Sequence, residues 1–214
     1  QIESASLRFS VDSRNYQYQS LPSPSGDHWY NYDAAITINS ASPSILNTQI
    51  VNCDYGIDIR GNSSPSISGN EITNSAYTPF RLAIQSTPVF GTNLFNSVGW
   101  KAIAILPEVV NYTGTLSKRN ITGLFDNITY VITELWINQG ANVTLDSGLV
   151  IKMPSYAEIG VLGGFKIKGT SNARVLITSI ADDNAGASPN QTDNDTEGNG
   201  NATTPDNVRW GTIR

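Results

Sequence analysis

Apolar residues alternate with polar or small ones in short runs, and the runs themselves recur. Ile36-Thr37-Ile38, Ile57-Asp58-Ile59, Leu82-Ala83-Ile84 and Ile103-Ala104-Ile105 share one pattern, the period-two signature of a strand with one buried face. Between them stand the proline-led phrases Pro43-Ser44-Ile45, Pro65-Ser66-Ile67 and Pro88-Val89-Phe90, in steps of 22 and 23 residues. Five residues after each proline come Thr48-Gln49-Ile50, Asn70-Glu71-Ile72 and Asn93-Leu94-Phe95, and nine after each come Asn52, Asn74 and Ser97. A repeat this short, with alternating β-branched residues and no 3.6-residue period, predicts a coiled β-solenoid.

Each coil from 35 to 105 therefore reads as a strand, a turn, the proline phrase and a second short strand. Alternation points Ile, Leu and Val inward. The outward positions read as Thr37, Asp58, Ala83 and Ala104, which make no regular threonine array of the kind that ice binding requires. Asn52 and Asn74 are expected to stack their amides at a sharp corner, relieving backbone groups that a tight bend leaves unpaired. Gly56, Gly61, Gly69 and Gly91 are expected to take the bends that need positive φ.

The rest of the chain divides by wording. Residues 1–33 form an N-terminal strand and aromatic region, with Leu7-Arg8-Phe9-Ser10-Val11, loop chemistry at 22–27, and Tyr16, Tyr18, Trp29, Tyr30 and Tyr32 either as a cap over the solenoid end, which otherwise exposes apolar rungs, or as a sugar-stacking surface. Residues 34–106 are the repeat segment. Residues 107–130 are a junction where Pro107, Gly114, Lys118-Arg119 and Gly123 break the register, with 111–115 an exposed loop. Residues 131–214 are a second solenoid segment with strands at Trp136-Ile137, Val143–Leu145, Leu149–Lys152, Phe165–Lys168 and Val175–Thr178. Its stretch 181–207 holds no large apolar residue and must leave the coil as an acidic loop.

This phrasing resembles two related patterns. Residues 35–105 resemble the parallel β-helix repeats of the pectate-lyase-like superfamily. Residues 136–214 resemble a module of large secreted bacterial and archaeal surface proteins, matched at Leu135 to Lys152, Gly169-Thr170, Val175 to Ser179, Asp182-Asp183, Pro205 and Trp210-Gly211-Thr212-Ile213. The resemblance implies an all-β, right-handed parallel β-helix in two consecutive segments. It is specific for fold and weak for activity, because that superfamily spans lyases, hydrolases, tailspikes, adhesins and plain scaffolds.

Composition narrows the partners. A net charge of −5 and only 14% charged residues argue against nucleic acid and against an anionic membrane surface. No run approaches the length of a membrane span. The chain starts at Gln1 and ends in a strand-like phrase, so it reads as a piece of something longer. Cys53 stands alone as a small buried filler, without a disulfide partner or a zinc-binding thiol pair. Eight sequons, at Asn62, Asn111, Asn120, Asn127, Asn142, Asn190, Asn194 and Asn201, fit a glycosylated extracellular or cell-surface chain.

The candidate metal site is the acidic loop. Asp182, Asp183, Asp193, Asn194, Asp195 and Glu197 supply the hard oxygen ligands that Ca2+ prefers, although the spacing is not that of an EF-hand and a solvated loop would have the same composition. Calcium here would order the loop and do no chemistry. Catalysis has little to work with. The single histidine, His28 beside Asp27, lacks a serine or cysteine motif. Arg60, Arg81, Lys101 and the Lys152, Lys166 and Lys168 group are the basic candidates, with Asp54 and Asp58 read as carboxylates without neighbours one rung away. The leading reading is a non-enzymatic extracellular surface, filament or adhesion protein, a stiff spacer that assembles with further copies of itself or with adjoining domains. The rival is a polysaccharide-binding or polysaccharide-cleaving β-helix, for which a groove lined by Arg60 and Arg81 is the discriminating feature.

Overall fold

The computed structural model describes residues 2–3, 6–8, 34–121, 129–185, 195–196 and 211–214. Every described element is a strand or a turn, and all strand pairs are parallel. The first rung holds β1 (Ile2–Glu3), β2 (Ser6–Arg8) and β3 (Ala34–Asn39). The second holds β4 (Ser44–Leu46), β5 (Gln49–Cys53) and β6 (Tyr55–Arg60). The third holds β7 (Ser66–Ser68), β8 (Glu71–Ser75) and β9 (Phe80–Leu82), and the fourth β10 (Val89–Phe90), β11 (Leu94–Val98) and β12 (Ile103–Ile105). After these come β13 (Glu108–Val110), β14 (Thr113–Leu116) and β15 (Tyr130–Ile132), then β16 (Glu134–Ile137), β17 (Asn142–Leu145) and β18 (Val150–Met153). The seventh rung is β19 (Glu158–Val161), β20 (Gly164–Ile167) and β21 (Leu176–Ser179), and β22 (Thr212–Ile213) steps onto the next.

The rungs stack into a parallel β-solenoid. One sheet of seven strands, β3-β6-β9-β12-β15-β18-β21, runs through the whole described chain. The other faces change hands midway: sheets ending at β10 and β11 give way to sheets beginning at β13 and β14. In the long sheet the inward column is Ile36, Ile57, Phe80, Ile103, Tyr130, Ile151 and Ile177. All but the end residues are fully buried. Each such side chain contributes roughly 1.5–3 kcal/mol through burial, so the stacked interior holds the coil together.

Corners repeat as the strands do. Asn52, Asn74 and Ser97 have φ of 58, 59 and 52°, a left-handed turn that asparagine tolerates better than most residues. Asn74 Nδ2 donates to Asn52 Oδ1 at 2.6 Å, the expected surface ladder. Gly61 and Gly69 take positive φ at 61 and 70°. Gly56 and Gly91 do not: they are glycine because a Cβ would strike Pro79 O and the Ser68 side chain respectively.

A second ladder, not anticipated, lies inside. Asn70 and Asn93 are almost wholly buried beneath Thr48. Thr48 N donates to Asn70 Oδ1, and Asn70 N to Asn93 Oδ1, each at 3.0 Å. Asn70 Nδ2 donates to Ile45 O at 2.9 Å and Asn93 Nδ2 to Gly91 O at 2.9 Å. These amides stand in for the ladder bonds that the corner interrupts.

The stretch 111–115 is not simply an exposed loop. Thr113–Leu116 is β14, with Leu116 buried and paired to Leu145. The junction is pinned by side chains. Arg119 Nη2 donates to Ser86 O and Nη1 to Tyr130 Oη, both at 2.8 Å, while buried Tyr130 donates to Ser117 O at 2.9 Å. Glu108 points inward, in register with Leu135, and accepts from Ile84 N at 2.8 Å and Tyr112 Oη at 3.0 Å.

Glu108 makes a pH prediction. Burial pushes its carboxyl above the ordinary 4.5, and the bonds from Ile84 and Tyr112 pull it only part of the way back. A carboxyl with a raised folded pKa contributes stability that is complete below the unfolded value and is lost as pH climbs through the folded one. Urea midpoints of the wild type should therefore fall as pH rises above about 4.5. Glu108→Gln keeps an acceptor for Ile84 N and should lack this component of the fall. Parallel pH curves for the two proteins would refute the assignment.

Candidate functional site

The outer face of the long sheet gathers most of the charged candidates. Its central column is Thr37, Asp58, Arg81, Ala104, Val131, Lys152 and Thr178. Arg81, not Ala83, is the residue above Asp58: Phe80-Arg81-Leu82 pairs with Ile57-Asp58-Ile59. Asp58 thus has a charged neighbour one rung away and is fully buried instead of solvent-facing. Arg81 Nε donates to Asp58 Oδ1 at 2.6 Å and Nη2 to Oδ2 at 2.8 Å. Arg60, further into solvent, adds a bond from Nη2 to Oδ2 at 2.7 Å. This fork geometry is the strong form of the carboxylate–guanidinium contact. With both oxygens occupied, the carboxylate fastens two rungs together.

Beside it runs an aromatic column. Tyr55 and Tyr77 stack with centroids 5.1 Å apart and planes at 20°, and Trp100 meets Tyr77 edge-on at 5.3 Å and 75°. The Arg81 guanidinium lies 3.8 Å from the Tyr55 ring centroid, a cation–π contact that helps neutralise its desolvation. A cavity of about 120 Å³ opens here between Tyr77, Arg81, Trp100, Ala104 and Pro107. Tyr55 opens β6, and Tyr77 and Trp100 stand just before β9 and β12, so the same near-constant step that spaces the prolines could have flagged them.

The described part of the acidic loop folds back on the same face. Ile180 packs with Ala102 and Val131 against Trp100. Thr178 Oγ1 donates to Asp182 Oδ2 at 2.7 Å and Asn184 N to Asp182 Oδ1 at 3.1 Å, so Asp182 braces its own turn. Asp183 and Asp195 are buried, and Lys101 N donates to Thr196 O at 2.9 Å. Asp193, Asn194 and Glu197 lie outside the described residues, and among the described residues no three acidic, histidine or cysteine groups converge as a metal set.

The basic residues do not form one group. Lys152 is wholly buried on this face, whereas Lys166 and Lys168 are exposed on or beside β20, Lys168 lying 3.6 Å from Asp146. Asp54 is beside Cys53, whose buried thiol is pushed up to about 11 by desolvation and then by that carboxylate; such a thiol is inert packing. Asn62, Asn111, Asn120 and Asn142 are all exposed. Asn127, Asn190, Asn201, His28, Asp27 and the N-terminal aromatics lie outside the described residues. No described helix is long and apolar enough to cross a membrane.

Fold and site together define a parallel β-solenoid repeat protein of about six turns, with an ion-paired and aromatic outer flank. Comparison with family models, curated proteins and solved structures found no match to the chain.

Proposed function

We propose that the chain is a non-enzymatic structural or adhesion protein of the cell surface or an extracellular filament, a stiff spacer that assembles with copies of itself. The observation that carries this reading is the unbroken seven-stranded sheet. At about 4.8 Å per rung, its six steps give a continuous spine of roughly 29 Å. Polar residues that sequence alone offered as chemistry, Asp58 and Arg81, are used in binding rung to rung. Exposure of the described sequons is in keeping with glycans on an outside surface. Calcium on the 181–207 loop belongs to the same proposal as an ordering ion. Antibody labelling of unbroken source cells should stain the surface; staining only after permeabilisation would contradict the reading.

A second reading, saccharide binding, is favoured by one feature: the aromatic column beside Arg81, since flat rings suit the apolar faces of sugars. Retardation in gels containing polysaccharide, lost in Trp100→Ala, would support it. Equal mobility of both proteins with every polymer would dismiss it.

A further inference from the structure

Two sheets stop in the middle of the molecule. β10 and β11 are the last strands of theirs, although the long sheet passes on without a gap to β15. The cause is local. The rung that follows rests on the turn after β9, where Ile84 N bonds Glu108, and Gly114 lies so near Ile84 that a Cβ there would come within 2.8 Å of Cγ2. β13 pairs with β16 and makes no ladder with β10. The strands β10 and β11 are left as a ledge on the side of the rod, away from either end.

The ledge exposes large aliphatics and carries no charge of its own, the nearest carboxylate being Glu71 of the rung below, which accepts from Asn96 Nδ2 at 3.1 Å. Val89 is 65% and Leu94 60% exposed. Phe90 and Phe95 continue the inward columns of Ile67 and Ile72, yet they are only partly buried where those isoleucines are fully so. From Val89 to Val98 there is no charged residue and no proline. Backbone polarity points outward too. Val89 N, Gly91 N and Leu94 N all bond back to the rung below, at 2.9, 2.9 and 2.8 Å, so alternation turns the N–H and C=O of Phe90 and Phe95 towards the open side. Sheet edges are ordinarily guarded by charge, proline or an inward-pointing ionisable residue. Glu108 gives β13 such a guard, and β10 is only two residues long and follows Pro88; the extended run Leu94–Asn96 of β11, before the corner at Ser97, has none.

We propose that this ledge is where two copies of the chain pair, β11 against β11, antiparallel about a two-fold axis. An edge apposed to itself through that symmetry runs antiparallel without further adjustment. Charge selects the partner. The chain carries −5 overall, so two copies approach most easily along a stretch with no charged residue of its own, as Val89–Val98 is. Pairing would also cover Val89, Leu94 and the two half-open phenylalanines, the largest exposed apolar step within the repeat segment. This lateral contact rests on the self-assembly part of the proposed function and is separate from its cell-surface part, which the labelling experiment tests on its own.

Sedimentation velocity over a concentration series tests it. The wild type should show a monomer–dimer equilibrium, and Val89→Lys/Leu94→Lys should weaken it about tenfold or more. Both residues are exposed, so an unchanged melting curve will show that the variant folds. Asn96→Cys, at the middle of β11, should give a disulfide-linked dimer that the lysine pair abolishes; native Cys53 is buried and stays silent. A wild type monomeric at every concentration overturns the proposal. So does a dimer indifferent to the lysines, or one in which Asn96→Cys copies do not cross-link, since either places the contact on another face. A monomer that takes up an unrelated extended peptide along β11 would likewise overturn self-pairing.

Discussion

Replacing Arg81 with alanine is expected to lower the unfolding free energy by roughly 3–5 kcal/mol, the cost of leaving a buried carboxylate without its main partner. Asp58 is fully buried and takes two guanidinium bonds from Arg81, while its other partner, Arg60, is 36% exposed and is a weaker anchor. Arg81→Lys should recover only part of the loss, because an ammonium cannot make the fork. The double variant Asp58→Leu/Arg81→Leu should be far closer to wild type than either partner's single truncation, since it removes the charge together with its compensation. Urea unfolding of the full cycle decides the matter. Additive single effects would mean that the two residues act apart and that the flank is not an interlocked device.

Asn70→Ala should cost roughly 2–4 kcal/mol, because it strips Thr48 N and Ile45 O of partners in a buried corner. Asn74→Ala is the informative contrast. Its amide is exposed and bonds only Asn52, so its loss should cost about 1 kcal/mol or less, mostly for holding alanine at a positive φ. Chemical denaturation of the pair separates the two ladders. Equal losses would show that the interior amides carry no more than the surface ones.

Much of the architecture was legible because a solenoid writes its geometry into a single repeat. The proline phrases became β4, β7 and β10, the words five residues later became β5, β8 and β11, and the steps of the repeat match bonds spanning 22 and 23 residues. Asn52 and Asn74 were readable because a left-handed corner restricts residue choice. Other features were obscured by degeneracy. Phe80-Arg81-Leu82-Ala83-Ile84 alternates in two frames, and choosing Leu82-Ala83-Ile84 put Ala83 where Arg81 belongs. That slip of two residues kept every aliphatic inward, so hydrophobicity could not expose it. A test for opposite charges one rung apart would have favoured the other frame. The interior ladder was hidden for another reason: Asn70 and Asn93 stand beside strand residues in a polar-looking word, and only three-dimensional closure shows them turned inward. The midway ledge depends on Glu108 and Gly114 seating the next rung over Ile84, a contact that no periodicity encodes.

The long sheet makes one rod of both halves, with the junction pinned and not a hinge. Native-state hydrogen exchange on Ile103–Ile105 and Tyr130–Ile132, compared with Ile57–Ile59 and Ile151, distinguishes a rod from a hinge. These amides should open with similar free energies, in a single protected unit running through β12 and β15. Fast exchange confined to the junction strands, with protection on either side, would show two separate bodies joined by a flexible link.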